Sequence, residues 1–172
     1  MTTSDGDLLK VDWSAKPTEQ NQLGDKVEII WDAERAYRPT VGLSVSKFFS
    51  NILLTVFDYH FCVWDVELEV QKPIFSSYIY ENTTILSGCF SPTRPGVIYI
   101  GKSDGKIHVW DLTDQSHKEV QEINAASDGI TCIEFHKKEN YLVNISAIMC
   151  DLLVSWRFKR ELGIVVSAFE SL

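Results

Sequence analysis

The stretch Gly96-Val97-Ile98-Tyr99-Ile100-Gly101-Lys102-Ser103 spells the G-x-x-x-x-G-K-[ST] pattern of a phosphate-binding loop. In such a loop successive backbone amides curl around phosphates and a helix N-terminus is aimed at them. The four residues inside this pattern are Val, Ile, Tyr and Ile, which favour an extended strand. Asp104-Gly105 and a further apolar run follow, where the chemistry would need a helix. The expectation is therefore a strand and hairpin, with a nucleotide hydrolase using Lys102 and Ser103 as the alternative.

The remaining chemistry-bearing residues do not form a recognisable constellation. Cys62, Cys89, Cys132 and Cys150 include no CxxC pair and have no zinc-ligand spacing with His60, His108, His117 or His136. His60, Cys62 and Trp64 share one face of a strand, as do Lys106, His108 and Trp110. Blade packing explains that recurrence without a metal. The serines lack a G-x-S-x-G elbow, and Glu67 and Glu69 read as a solvated pair. No catalytic residue, cofactor or metal site is expected.

A formal net charge of -8 argues against a nucleic-acid partner, since phosphates are neutralised by clustered Lys and Arg. No run of about 18 apolar residues is present to span a bilayer, and residues 1–10 are not of signal-peptide type. Reduced cysteines and a cytoplasmic or cytoskeletal setting are expected.

The elements that position these residues show in a repeat. Trp64, Trp110 and Trp156 stand 46 residues apart, and the first two precede Asp65 and Asp111. Asp58 precedes Trp64 by the six residues that separate Asp104-Gly105 from Trp110, while Ser46, Ser91 and His136 each end a short apolar strand 45 residues apart. A period of about 40 to 45 residues ending in Trp-Asp is the signature of a WD-type propeller blade. Strands are predicted at 41–46, 52–57, 60–66 and 73–78, then at 85–90, 97–100, 106–112 and 119–123. A third set falls at 130–136, 141–148 and 151–158, with a fourth strand within 162–169.

The chain divides accordingly into the end of a preceding blade (1–13), a loop or linker (14–40), WD blades at 41–80 and 81–126, and a degenerate blade at 127–172. Trp31-Asp32 lies out of phase and reads as a decoy inside the linker. The fold class expected is all-β, a WD-repeat β-propeller that is incomplete, with about three four-stranded antiparallel blades plus a fragment. A closed ring needs typically about four to eight blades, so the sequence reads as part of a larger protein or an element completed by a partner. Asp58 and Asp104 are expected to tie down the turn and the tryptophan that follows, Trp64 or Trp110. Arg38, Arg94, Lys102, Lys106 and two aromatics expected at the surface, Tyr78 and Tyr80, are the candidates for partner contact.

Beyond generic WD repeats, 91–101 with Asp104-Gly105 and Val109-Trp110-Asp111-Leu112 resembles the late blades of dynein intermediate chains. So does Ser46-Lys47-Phe48-Phe49-Ser50-Asn51 leading into Ile52-Leu53-Leu54-Thr55-Val56. Gly6-Asp7-Leu8 running to Val11-Asp12-Trp13 is similar to the end of the blade before. The likeness covers roughly 5–136 and is nearest to the axonemal inner-arm chains, the two-headed arm in particular. It implies a non-catalytic propeller that binds a dynein heavy chain and other dynein subunits, with a further WD-repeat intermediate chain among them. It also implies support for anchoring the motor on the ciliary axoneme. A WD-repeat scaffold outside dynein is the other reading, and light-chain binding is not implied.

Overall fold

The computed structural model describes residues 1–3, 5–12, 26–31, 38–68, 72–135, 142–146, 155–158 and 165–166. Every described element is a strand. Strands β1 (Leu8–Asp12) and β2 (Lys26–Trp31) form an antiparallel pair. Strands β3 (Thr40–Val45), β4 (Ile52–Phe57), β5 (Phe61–Asp65) and β6 (Phe75–Ser76) make the first four-stranded sheet, paired in chain order. The second sheet contains β7 (Ile85–Phe90), β8 (Val97–Lys102), β9 (Lys106–Asp111) and β10 (Gln121–Asn124). The third contains β11 (Ile130–Phe135), β12 (Leu142–Ser146), β13 (Ser155–Phe158) and β14 (Val165–Val166). Three antiparallel blades and a two-stranded piece make an incomplete WD-repeat propeller.

One expectation is corrected by this topology. The segment assigned to a linker, 14–40, contains β2, whose Trp31 pairs with Leu8 of β1. The strand ends at Trp31, next to Asp32, and so carries a Trp-Asp pair of its own, but that pair stands 33 residues before Trp64 where the repeat has 46, so the rhythm passes over it. Strand β2 is the second strand of the two-stranded sheet formed with β1. Residues 1–3 reach back along the other edge of β1. Leu9 N–H donates to the Met1 carbonyl at 2.8 Å, around a turn in which Gly6 has φ of 99°. Trp13, Asp32, His136 and Cys150 lie outside the described residues, and of Trp156 the backbone alone is described, paired with Leu142.

Apolar seams hold the blades together. Leu54, Val56, Phe61 and Val63 of the first blade pack on Ile85, Phe90, Ile98, Ile100 and Trp110 of the second. Ile107 and Ile123 then meet Ile130 and Ile133 of the third. On the opposite face of the first blade, Leu8 covers Leu53, Phe57, Cys62 and Trp64. The inner strands approach closely: a Cβ on Gly88 would lie 2.8 Å from Val56 Cγ2, so glycine is needed where β7 crosses the first blade. Ser44 Oγ accepts from Phe90 N–H at 3.4 Å, and Ser87 Oγ donates to the Ile130 carbonyl at 2.7 Å. These two serines thus link the inner strands from blade to blade.

Candidate functional site

The two complete blades differ at the seam between them, and strand register shows why. Leu53 stands opposite Trp64, and Ile98 stands opposite Trp110. The first step is 45 residues along the chain and the second 46, because the turn between β8 and β9 is one residue longer. Ile100 therefore takes the place of Thr55, Lys102 that of Phe57, and His108 that of Cys62. In the first blade the Trp64 indole N–H donates to Thr55 Oγ1 at 2.8 Å within its own sheet. No hydroxyl is present at Ile100, so the Trp110 indole donates to Tyr80 Oη at 3.1 Å instead. Tyr80 sits in the connector arriving from the first blade.

That connector and β9 build a buried polar cluster. Tyr80 Oη lies 3.3 Å from His108 Nδ1. The Glu122 carboxylate, 2.9 Å from Nε2, can only accept, which puts the ring proton on Nε2 and leaves Nδ1 to accept from the Tyr80 hydroxyl, itself the acceptor of the Trp110 indole N–H bond. Lys102 Nζ stands 3.1 Å from the same Nε2, 3.2 Å from Asp104 Oδ2 and 5.7 Å from the Tyr80 ring centre. With Nε2 protonated, the ammonium is satisfied by Asp104 and by the ring face. Lys106 closes the outer side with a 2.7 Å bond to Glu122 Oε1, and Tyr78 donates to Glu119 Oε2 at 2.8 Å.

The electrostatics follow from burial and these partners. Burial holds the His108 imidazole below its ordinary pKa, and Lys102 adds to that against the opposing pull of Glu122 and Glu119. Burial raises the Tyr80 phenol, and Tyr78 beside it works the same way. Burial and the bond to Glu119 push Tyr78 up to about 12. The bonds from Lys106 and then His108 lower Glu122. The cluster is a neutral imidazole and two phenols held between ion pairs, with its donors and acceptors turned on each other.

Several expected site residues are placed otherwise than the sequence suggested. Tyr80, expected at the surface, is 5% exposed, and Lys102, expected to be a surface cation, is 6% exposed. Both are drawn in by the tryptophan and histidine of β9. Asp104 does not reach Trp110; it binds Lys102 and accepts from Lys106 N–H at 3.3 Å. Asp58 pairs with Arg38 at 3.4 Å, and Arg38 lies over the Tyr59 ring. The letters of the phosphate-binding pattern form β8, paired on both edges by β7 and β9, and the amides of an extended strand do not form a phosphate cradle.

Asp65 and Asp111, which follow the tryptophans, occupy equivalent places. Asp65 accepts from Asn51 Nδ2 at 2.9 Å and Glu67 N–H at 3.0 Å. Asp111 accepts from Arg94 Nη2 at 2.9 Å and Thr113 N–H at 3.1 Å. Each one ties the loop between its blade's first two strands to the turn after its third. Arg94, for all this pairing, keeps a side chain 68% exposed. Tyr78 is 41% exposed, and Lys106 lies at the surface with a side chain 36% exposed.

Comparison with known proteins settles the family. Residues 1–151 match the model of the dynein axonemal intermediate chain 3 WD40 domain. The chain belongs to that family. It is 31% identical over 145 residues to dynein axonemal intermediate chain 3 of Homo sapiens, covering 81% of this chain and 16% of the relative. Against the Danio rerio protein of that name the identity is 30% over 135 residues, 77% of this chain and 14% of the relative. The 70 kDa intermediate chain of the flagellar outer arm of Chlamydomonas reinhardtii is 32% identical over 127 residues, covering 64% of this chain and 22% of the relative. The similarity therefore takes in an outer-arm chain as well. The chain spans between 14% and 16% of the length of the human and zebrafish relatives. The family match also continues past 136, through the third blade's first two strands.

Proposed function

We propose that this chain is a non-catalytic interaction subunit of an axonemal dynein, binding the dynein heavy chain and supporting assembly or anchoring of the motor on the ciliary axoneme. The family match over residues 1–151 carries the reading. Dynein intermediate chains as a class are motor subunits, and the blades of this chain supply loops on a rigid scaffold, the usual source of binding surfaces. The polar cluster at the first seam supports a structural role, since His108, Lys102 and Tyr80 are engaged with one another and buried. ATP hydrolysis then belongs to the heavy chain. Other dynein subunits, a further WD-repeat intermediate chain among them, are the expected neighbours.

An affinity purification from ciliated-cell extract tests this, using the tagged chain beside a Trp64→Ala/Trp110→Ala control. Dynein heavy chain retained by the native sequence and lost in the control is the expected result. Recovery of chaperones without heavy chain would overturn the reading.

A further inference from the structure

A polar cleft of about 190 Å³ lies at the seam where the connector from the first blade enters the second. It is lined by Tyr59 from the turn between β4 and β5, and by Glu81, Asn82, Thr83 and Thr84 from the connector. Ser103, from the turn between β8 and β9, completes it. Backbone bonds fix each contributor. Tyr80 N–H donates to the Tyr59 carbonyl at 2.8 Å and Ile85 N–H to the Asp58 carbonyl at 2.7 Å, so the connector is fastened on both sides of residues 81–84. Ser103 N–H donates to the Thr84 carbonyl at 2.9 Å, and Thr84 N–H returns a bond to Ser103 Oγ at 3.1 Å. The cleft is therefore preformed, its shape set by the seam and not by a ligand.

The chemistry of the lining is one-sided. Glu81 carries its only charge and is exposed. Among the described residues no Lys, Arg or His forms an ion pair with Glu81. The cations beside the two turns are engaged with the aspartates of those turns. Arg38 meets Asp58 at 3.4 Å and lies over the Tyr59 ring, and Lys102 meets Asp104 at 3.2 Å. The remaining lining groups are hydroxyls, one carboxamide and one aromatic ring. A phosphate or carboxylate would face Glu81, and an apolar group would strand the hydroxyls. A compact cation with several N–H donors suits every wall.

We propose that this cleft receives an arginine side chain of a partner polypeptide, with the Glu81 carboxylate as counter-charge and the hydroxyls and Asn82 as further acceptors. A guanidinium is always charged, offers five N–H donors in a plane and stacks on aromatic faces. A lysine ammonium would satisfy the charge but not the spread of acceptors. The net charge of -8 draws basic segments toward the chain in general, and the cleft gives that attraction one seat. A single exposed carboxylate binds a cation weakly. The arginine thus sets the register of a larger contact and does not carry its affinity.

The test titrates the full 172-residue chain with Nα-acetyl-arginine methylamide and follows the backbone amides by nitrogen–proton NMR. Saturable shifts confined to Tyr59, residues 81–84 and Ser103 are expected, with a dissociation constant on the order of millimolar. The citrulline analogue, which has nearly the same shape and no charge, should bind about fivefold or more weakly. Glu81→Gln, a change at an exposed side chain, should erase that difference while leaving the rest of the spectrum in place. Shifts that do not saturate, that are equal for citrulline, or that persist unchanged in Glu81→Gln would overturn the assignment. Free L-arginine binding in preference to the blocked form would point to the amino acid and not to a polypeptide, and would overturn it too. Heavy-chain retention is read in a separate purification, so either result can fail without the other.

Discussion

The indole N–H of Trp110 and the hydroxyl of Tyr80 are 3.1 Å apart, and this one bond joins a strand of the second blade to the connector from the first. Trp64, in the equivalent place one blade earlier, is satisfied inside its own sheet by Thr55. The same tryptophan position is therefore used in two ways. The Trp64 indole bond stays within one blade, while that of Trp110 crosses between two, where its ring also meets Phe61 edge-on with ring centres 5.2 Å apart.

Removing the Tyr80 hydroxyl leaves a buried indole N–H without its acceptor and His108 Nδ1 without its donor. Tyr80→Phe is accordingly expected to cost about 1–3 kcal/mol, the penalty for stranding buried polar groups. Trp110→Ala, which empties the seam, should cost about 3–5 kcal/mol. Tyr78→Phe removes a bond on an exposed ring and should cost less than about 1 kcal/mol. Denaturant titration followed by tryptophan fluorescence ranks Tyr80→Phe against Tyr78→Phe. Equal midpoints for those two would remove the special role of the Tyr80 bond.

Acidification should weaken the fold in a defined window. Burial holds His108 below its ordinary value of 6.5, and burial does the same to His60. A histidine whose pKa is depressed on folding binds its proton more readily when unfolded, so its stability contribution is intact above 6.5 and is lost as pH falls from there through the folded value. Glu122 and Glu119, both lowered from 4.5, begin to lose their contributions only below that value. Melting temperature is thus expected to drop between pH 7.5 and 5.5, ahead of any carboxylate effect, and His108→Gln should flatten part of that drop, with His60 supplying the rest. A melting temperature that is level across that interval would contradict the assignment of a neutral, buried imidazole.

Much of this architecture was legible in the sequence because the tryptophan spacing and the Asp-Gly turn impose it. The strand placed at 85–90 from its residues coincides with β7, and 52–57 with β4. The one-residue difference between the 45- and 46-residue spacings is visible in the sequence, but its effect on the packing is not. It shifts β8 against β9, puts Lys102 and His108 where the first blade has Phe57 and Cys62, and buries residues that composition marks as surface. Tyr80 was obscured for the same reason: its partner Trp110 is 30 residues away, and nothing local to the connector announces that contact.

Gly105 should resist substitution more than its neighbours. Its φ is 78°, and a Cβ there would lie far inside contact distance of the Ala126 carbonyl oxygen, which belongs to the connector leading to the third blade. Ala125 and Ala126 N–H both donate to the Gly105 carbonyl at 3.0 Å, so the turn cannot simply move away. Gly105→Ala is expected to cost about 1–3 kcal/mol or more, through left-handed strain and the clash together. Gly96→Ala, at a similar φ of 80° but meeting a threonine methyl at 3.0 Å, should cost less. Equal unfolding midpoints for the two variants would show that the connector yields.

Lys102 separates the structural reading of 96–103 from the nucleotide reading. Its ammonium is buried, yet its partner Asp104 keeps a side chain 29% exposed and also accepts from Lys106 N–H. Lys102→Met replaces a buried cation by an apolar group of similar length and leaves an aspartate that water can reach. Removing one member of an ion pair is costly where the other charge stays buried, and Asp104 remains within reach of water, so the change in stability should stay within about 1 kcal/mol of the native chain. The methionine also frees His108 Nε2 from a nearby positive charge, so the imidazole should titrate higher in the variant. That shift is measurable by proton NMR of its ring. A phosphate-binding loop would behave differently, since the lysine would be needed for the ligand and not for the fold. Titration with ATP and magnesium is expected to show no saturable binding in either protein. Saturable binding by the native chain that disappears in Lys102→Met would make the strand reading of 96–103 untenable.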